Sequence, residues 1–249
     1  MRSGSEGRGC FPTGHHYPGI AHLLRLSVVG LSPGWPSEHL MADLPLVSID
    51  TETTGRDSKS DRIVEIACVR WERGQVTARE CWLVNPERPI PDEAREVHGI
   101  SDADVADKPR LVEVLPEVLA ALRGAVPLAY NAAFDRDFLQ AELARSGAVF
   151  EDLPPAMQTR VEWVDPLTWA RVLQASEKSR ALGEVCARMG IQIEQAHRAL
   201  FDAEAALRVF LIFLEDVRVP KTYGGLVQEQ RRLARAFADE RGRFWQAKL

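Results

Sequence analysis

No run of about 18 apolar residues occurs in the 249-residue chain, so no membrane-spanning helix is expected. An excess of positive charge is missing too. Lys and Arg number 31 against 36 Asp and Glu, a formal net charge of −5. That excludes a protein that holds nucleic acid mainly by bulk basicity. It does not exclude an enzyme acting on phosphates, because divalent ions neutralise acidic side chains locally. The four cysteines, Cys10, Cys68, Cys81 and Cys186, include no C-x-x-C pair, so a zinc knuckle is not expected. Cys68, Cys81 and Cys186 lie among apolar residues and read as small buried thiols of a protein in a reducing cytoplasm. No internal repeat is present.

Histidine is scarce where a core is expected. Four of the six lie in residues 1–40 (His15, His16, His22, His39), together with seven glycines and four prolines. This stretch reads as a disordered leader, with Met41 as a candidate true start. Its apolar segment 20–31 is broken by His22 and Arg25 and is followed by no small-residue cleavage site, so it is not read as a signal peptide. Only His98 and His197 remain for the rest of the chain.

From residue 41 to 217 the pattern is that of one α/β domain. Residues 44–50 form a short apolar, partly β-branched run that reads as a buried strand stopped by Thr53-Thr54-Gly55. Residues 62–72 and 75–84 flank Arg73-Gly74 and read as a hairpin. Short helices are expected near 92–97 and 102–105 within a proline-rich loop. Helical spacing covers 111–122, and 126–130 is a further strand. Residues 133–146 read as a helix with Phe134, Phe138, Leu139 and Leu143 inward, ended by Gly147. Residues 161–164 are expected as a fifth strand, stopped by Asp165-Pro166, with Asp165 capping the next helix. Helices are expected at 181–189 and 199–214. Three strands in a meander followed by alternating strands and helices predict a mixed sheet covered by helices. Residues 218–249 then turn basic, with eight Lys and Arg against three Asp and Glu. Leu226, Leu233, Phe237 and Phe244 suggest one apolar stripe on a helical tail that packs on the domain.

Acidic residues collect where strands end. In Asp50-Thr51-Glu52 the two carboxylates are two residues apart, so on an extended strand they project to one side. Asp135 and Asp137 open the helix after the 126–130 strand, and spacing does not choose between them. His197 and Asp202 form H-x-x-x-x-D. On a regular helix that interval turns about 140°, so the pair converges best with His197 in the entering loop and Asp202 on the first turns. Hydrolysis of a phosphodiester needs an activated water and charge stabilisation on the phosphoryl group. A cluster of carboxylates holding two divalent ions, Mg²⁺ or Mn²⁺, supplies most of this. A histidine with a pKa near about 6.5 takes the proton of the water.

DTETTG (50–55), NAAFDRDFL (131–139) and HRALFDAEAA (197–206) resemble, in order, the three motifs of the DEDDh group of DnaQ-like 3′→5′ exonucleases, which includes the proofreading subunit of bacterial replicative DNA polymerase. The intervening NPERPIPDEAREVHGISDADV and SRALGEVCARMGI match as well, and the resemblance spans residues 44–214. It implies a ribonuclease-H-like fold, a five-stranded mixed sheet flanked by helices. It implies that Asp50, Glu52 and Asp202 ligate two metal ions, that Asp135 holds the second, and that His197 is the general base. Thr51 and Phe134 would lie beside the terminal nucleotide, bordered by Val97 and His98. The implied partners are nucleic acid with a free 3′ end and a DNA polymerase. The tail GGLVQEQRRLARAFADERGRFWQAKL carries no clear clamp-binding motif, so a stand-alone exonuclease for repair or RNA trimming is as well supported as a polymerase subunit.

Overall fold

The computed structural model describes residues 35–149 and 152–246, the side chains of 241–246 excepted. At its centre lies β1 (Leu46–Thr53), which is buried along most of its length. Its Leu-Val-Ser-Ile start lacks a polar face, which suits a strand covered on both sides. β2 (Ile63–Glu72) pairs with it antiparallel, from Leu46 opposite Trp71 to Glu52 opposite Glu65, with an irregularity between Glu52 and Thr53. β3 (Gln75–Leu83) follows through Arg73-Gly74, both at positive φ (53° and 81°), the two-residue turn whose twist matches a hairpin. After α1 (Asp92–His98), α2 (Asp102–Val105) and α3 (Leu111–Ala121), β4 (Val126–Leu128) joins β1 in parallel. The strand order is β3-β2-β1-β4.

α4 (Ala133–Ser146) and α3 cover one face, where Val47, Ile49, Leu115, Val118, Phe138 and Leu139 share a cluster. α5 (Pro166–Leu173), α6 (Leu182–Arg188) and α7 (Ala199–Glu215) lie on the other side of the core, where Leu46 and Val69 meet Ala203, Leu207 and Phe210. Phe210 is wholly buried, and truncating such a ring costs on the order of 3–5 kcal/mol. The sheet has four strands, not the five expected. Residues 161–164 contribute one isolated parallel bridge, Leu128 with Val164. The reason is local. Pro166 has no N–H to extend a ladder, and the Asp165 carboxylate turns back to accept the Leu167 N–H at 2.9 Å, capping α5.

The outer edge of segment 161–164, on the side away from β4, is covered by a side chain. α8 (Tyr223–Gln246) presents Gln230, whose Oε1 accepts the Asp165 N–H at 2.9 Å and whose Nε2 donates to the Trp163 carbonyl at 2.8 Å. Gln230 is buried, and its amide mimics a neighbouring strand. Leu226 and Leu233 of α8 are buried in the α7 cluster and Phe237 packs partly against it, under the Arg171 guanidinium. The Phe244 side chain lies outside the described residues.

Most of the expected leader, residues 1–34, also lies outside the described residues. Residues 35–40 are bonded to the turn before α8: Tyr223 N–H donates to His39 O at 2.8 Å and Gly224 N–H to Ser37 O at 2.9 Å. A Cβ at Gly224 would sit 2.6 Å from the Ser37 Cβ, so the approach requires glycine there. Trp35 meets the Tyr223 ring edge-on at 5.5 Å.

Candidate active site

Alternation along β1 splits its last residues between the two faces of the sheet. Asp50 and Glu52 face α7, which offers Asp202 from its first turns, and carboxylate oxygens of these three lie within 4.8 Å of one another. Thr51 faces the other way, toward α4, and its hydroxyl donates to Asp135 Oδ1 at 2.8 Å. Asp135 is buried, whereas Asp137 is exposed and paired with Arg136 at 3.0 Å. Of the two acids left open on spacing, Asp135 is the one that reaches β1, and it stands outside the close group of three. The four acids thus wrap the end of a single strand.

His197 precedes α7 with φ at 61°, a left-handed conformation rare outside glycine. Its backbone N–H donates to Asp202 Oδ2 at 2.9 Å, which stops α7 from extending upstream and leaves the imidazole exposed. The expected arrangement, His197 in the entering loop and Asp202 on the first turns, is the observed one.

Burial raises every carboxyl of the group above its ordinary range, and neighbouring negative charge adds to it. For Asp50 burial is the larger cause, followed by the charges of Asp135, Asp202, Glu52 and Glu65. Glu52 is pushed up to about 8 by burial, then by Asp202, Glu65 and Asp135, with Arg198 opposing. Asp135 is pushed up to about 7 by burial, against the Thr51 hydrogen bond. Asp202 is raised by burial, against the hydrogen bond from His197. A surplus of negative charge on oxygen ligands, with neither sulfur nor imidazole in the close group, fits a hard divalent cation of the Mg²⁺ or Mn²⁺ kind.

Beside this cluster lies a cleft of about 720 Å³ lined by Thr51, Glu52, Pro91, Val97, His98, Asn131 and Phe134 among others. All four residues expected beside the terminal nucleotide line it. Val97 is exposed, His98 is buried, and the Phe134 ring packs against Phe138 at 4.8 Å between centroids. His98 Nδ1 accepts the Ile100 N–H at 3.0 Å, which places the ring proton on Nε2. At the rim, a Cβ on Gly55 would lie 2.3 Å from the Asp61 carboxyl, so this glycine lets the DTETTG loop close on Asp61. A larger groove, about 1150 Å³ along α8, contains none of the four acids and is no candidate for the chemistry.

Two residues at the site carried no signal that the sequence reading used. Glu65, wholly buried on β2, stands opposite Glu52 and holds Arg198 through two hydrogen bonds, 2.5 and 3.1 Å. The available signal was its position inside Ile63-Val64-Glu65-Ile66-Ala67, where a charge on a fully buried strand needs a partner.

The exonuclease family model RNase_T matches residues 47–210. The chain belongs to this exonuclease family. Its fold is the ribonuclease-H-like fold of the DnaQ-like exonucleases. The exonuclease is 34% identical over 218 residues to a DNA polymerase III subunit epsilon-like protein of Rhodobacter capsulatus, covering 83% of this chain and 30% of that one. It is 31% identical over 215 residues to the PolC-type DNA polymerase III of Streptococcus thermophilus, covering 83% of this chain and 14% of the relative. It therefore spans less than a third of the length of these curated relatives. Among solved structures it resembles exonuclease X in complex with 5′ overhanging duplex DNA, with TM-score 0.57, 26% identity, and coverage of 74% of this chain and 99% of that one. E. coli exonuclease I in complex with a dT13 oligonucleotide shares the fold, with TM-score 0.58, 20% identity, and coverage of 70% and 41%. Among the described residues no helix is long and apolar enough to cross a membrane.

Proposed function

We propose that this exonuclease removes nucleoside monophosphates from the 3′ end of DNA by a two-metal reaction with His197 as general base. The observation that carries the reading is the meeting of Asp50, Glu52 and Asp202 within 4.8 Å, where repulsion and burial disfavour the charged carboxylates and a divalent cation would offset both. These three residues would hold the ions, and Asp135 would add its carboxylate from the opposite face of β1. Bound divalent ions of the Mg²⁺ or Mn²⁺ kind supply positive charge to the attacking and leaving oxygens. His197, exposed at the rim, takes the proton from the attacking water. The water oxygen bonds to phosphorus, the bond to the 3′ oxygen of the penultimate nucleotide breaks, and that oxygen takes a proton from solvent water to become a new 3′ hydroxyl, while His197 returns its proton to solvent. Thr51 anchors Asp135 while lining the cleft. Phe134 offers a ring edge or face to the terminal base, and Val97 and His98 wall the sugar side.

DNA is favoured over RNA because the similar proteins are DNA polymerase III components and exonuclease X is described with DNA. The same relatives support a second reading, a proofreading subunit acting with a DNA polymerase. Incubation with 5′-labelled single-stranded DNA, duplex DNA and RNA tests the main reading. Stepwise shortening in Mg²⁺ or Mn²⁺ supports it, and full-length substrate under every metal contradicts it. Copurification with a polymerase favours the subunit reading.

A further inference from the structure

We propose that Glu65 and Arg198 act as one positioning unit that sets the His197 loop over the carboxylate cluster, and this rests on the reading of His197 as general base. The geometry is specific. The wholly buried Glu65 carboxylate accepts Arg198 Nη2 at 2.5 Å on Oε1 and Arg198 Nε at 3.1 Å on Oε2, a fork-to-fork pair. The same Oε2 accepts the Ala199 N–H at 2.9 Å, one of the donors that the start of α7 leaves open. Cys81 Sγ lies 3.6 Å from Oε1. β2 therefore grips α7 at its first residue, from the position directly opposite Glu52.

Arg198 is the residue immediately after His197. With Arg198 fixed to β2 and the His197 N–H fixed to Asp202 Oδ2, the strained left-handed backbone at His197 is pinned from both ends. The Arg198 charge also acts on Glu52, His98 and Asp104, so the guanidinium sits where β1, α7 and the α1–α2 wall of the cleft converge. Neither Glu65 nor Arg198 belongs to the close carboxylate group. Arg198 acts on the reaction through His197, whereas the Glu65 charge also bears directly on Asp50, Glu52 and Asp202, so the placement is tested with Arg198→Lys, which keeps the charge of the pair. Arginine is needed there because its planar fork fixes direction, which a lysine ammonium does not.

The test is a kinetic cycle on the full chain with a 5′-labelled oligonucleotide. Glu65→Gln, Arg198→Lys and His197→Ala are made singly, and Arg198→Lys is also made in the His197→Ala background. Circular dichroism and active-site titration correct each rate for folded protein. Glu65→Gln and Arg198→Lys are expected to lower kcat about tenfold or more with KM within about twofold. In the His197→Ala background Arg198→Lys is expected to cost less than about twofold, because no imidazole remains to be placed. An equal loss in both backgrounds, or full activity in Arg198→Lys, overturns the proposal. The base reading is checked separately by His197→Ala alone, whose wild-type rate would remove that reading whatever the cycle shows.

Discussion

Removing the charge of Glu52 is expected to stabilise the metal-free protein. Glu52 has an ordinary pKa of 4.5 and is pushed up to about 8 in the fold by burial and three neighbouring acids. An acid with a raised pKa in the folded state binds its proton more tightly there than in the unfolded chain. The resulting destabilisation is absent below about pH 4.5, grows as pH rises, and is complete above about pH 8. Treated as isolated, the full difference corresponds to about 5 kcal/mol at 1.36 kcal/mol per pH unit. Four acids share one field and the loops relax, so Glu52→Gln is expected to recover on the order of 2 kcal/mol at pH 8. For a chain of this size that raises the melting temperature by about 4–8 °C. The assay is thermal unfolding followed by circular dichroism in chelator at pH 5 and pH 8.5. The gain is expected at pH 8.5 and to be nearly absent at pH 5, and added Mg²⁺ is expected to raise the wild type more than the variant. A variant melting no higher than wild type at pH 8.5, or gaining equally at both pH values, refutes the account of the cluster as an uncompensated charge site.

His197→Ala is expected to lower kcat by about 10²–10⁴-fold with little change in KM, measured by single-turnover cleavage. Gln230→Ala leaves the Asp165 N–H and Trp163 carbonyl without their partner inside the protein, and is expected to lower stability by about 2–3 kcal/mol in urea unfolding. A chain beginning at Met41 loses the backbone bonds from Tyr223 and Gly224 to residues 39 and 37, and is expected to melt about 4–8 °C lower in calorimetry. Equal melting would show that residues 35–40 contribute nothing net.

Much of the site was legible because strand alternation is local. Asp50 and Glu52 share a side by virtue of their spacing alone, and the structure joins them to Asp202. Asp135 and Asp137 were not separable, because the choice depends on how α4 is rotated against β1 and on a hydrogen bond from Thr51, a residue 84 positions away. Glu65 and Arg198 escaped notice because their pairing spans 133 positions, and each alone reads as an ordinary charge. The order of strands and helices followed from apolar periodicity. The expected fifth strand shrank to one bridge because Asp165 and Pro166 divert the backbone into α5. The helical tail was legible as amphipathic, but the buried role of Gln230 was not, since a polar residue on a basic helix gives no sign of the edge it covers.

The central claim is tested most directly by incubating the full 249-residue chain with 5′-labelled single-stranded DNA in Mg²⁺, in chelator, and as the Asp50→Ala variant. The account predicts a ladder shortening one nucleotide at a time from the 3′ end in Mg²⁺ alone, with intact DNA in chelator and in the variant. Shortening by Asp50→Ala at the wild-type rate, or intact DNA with wild type in both Mg²⁺ and Mn²⁺, would contradict it.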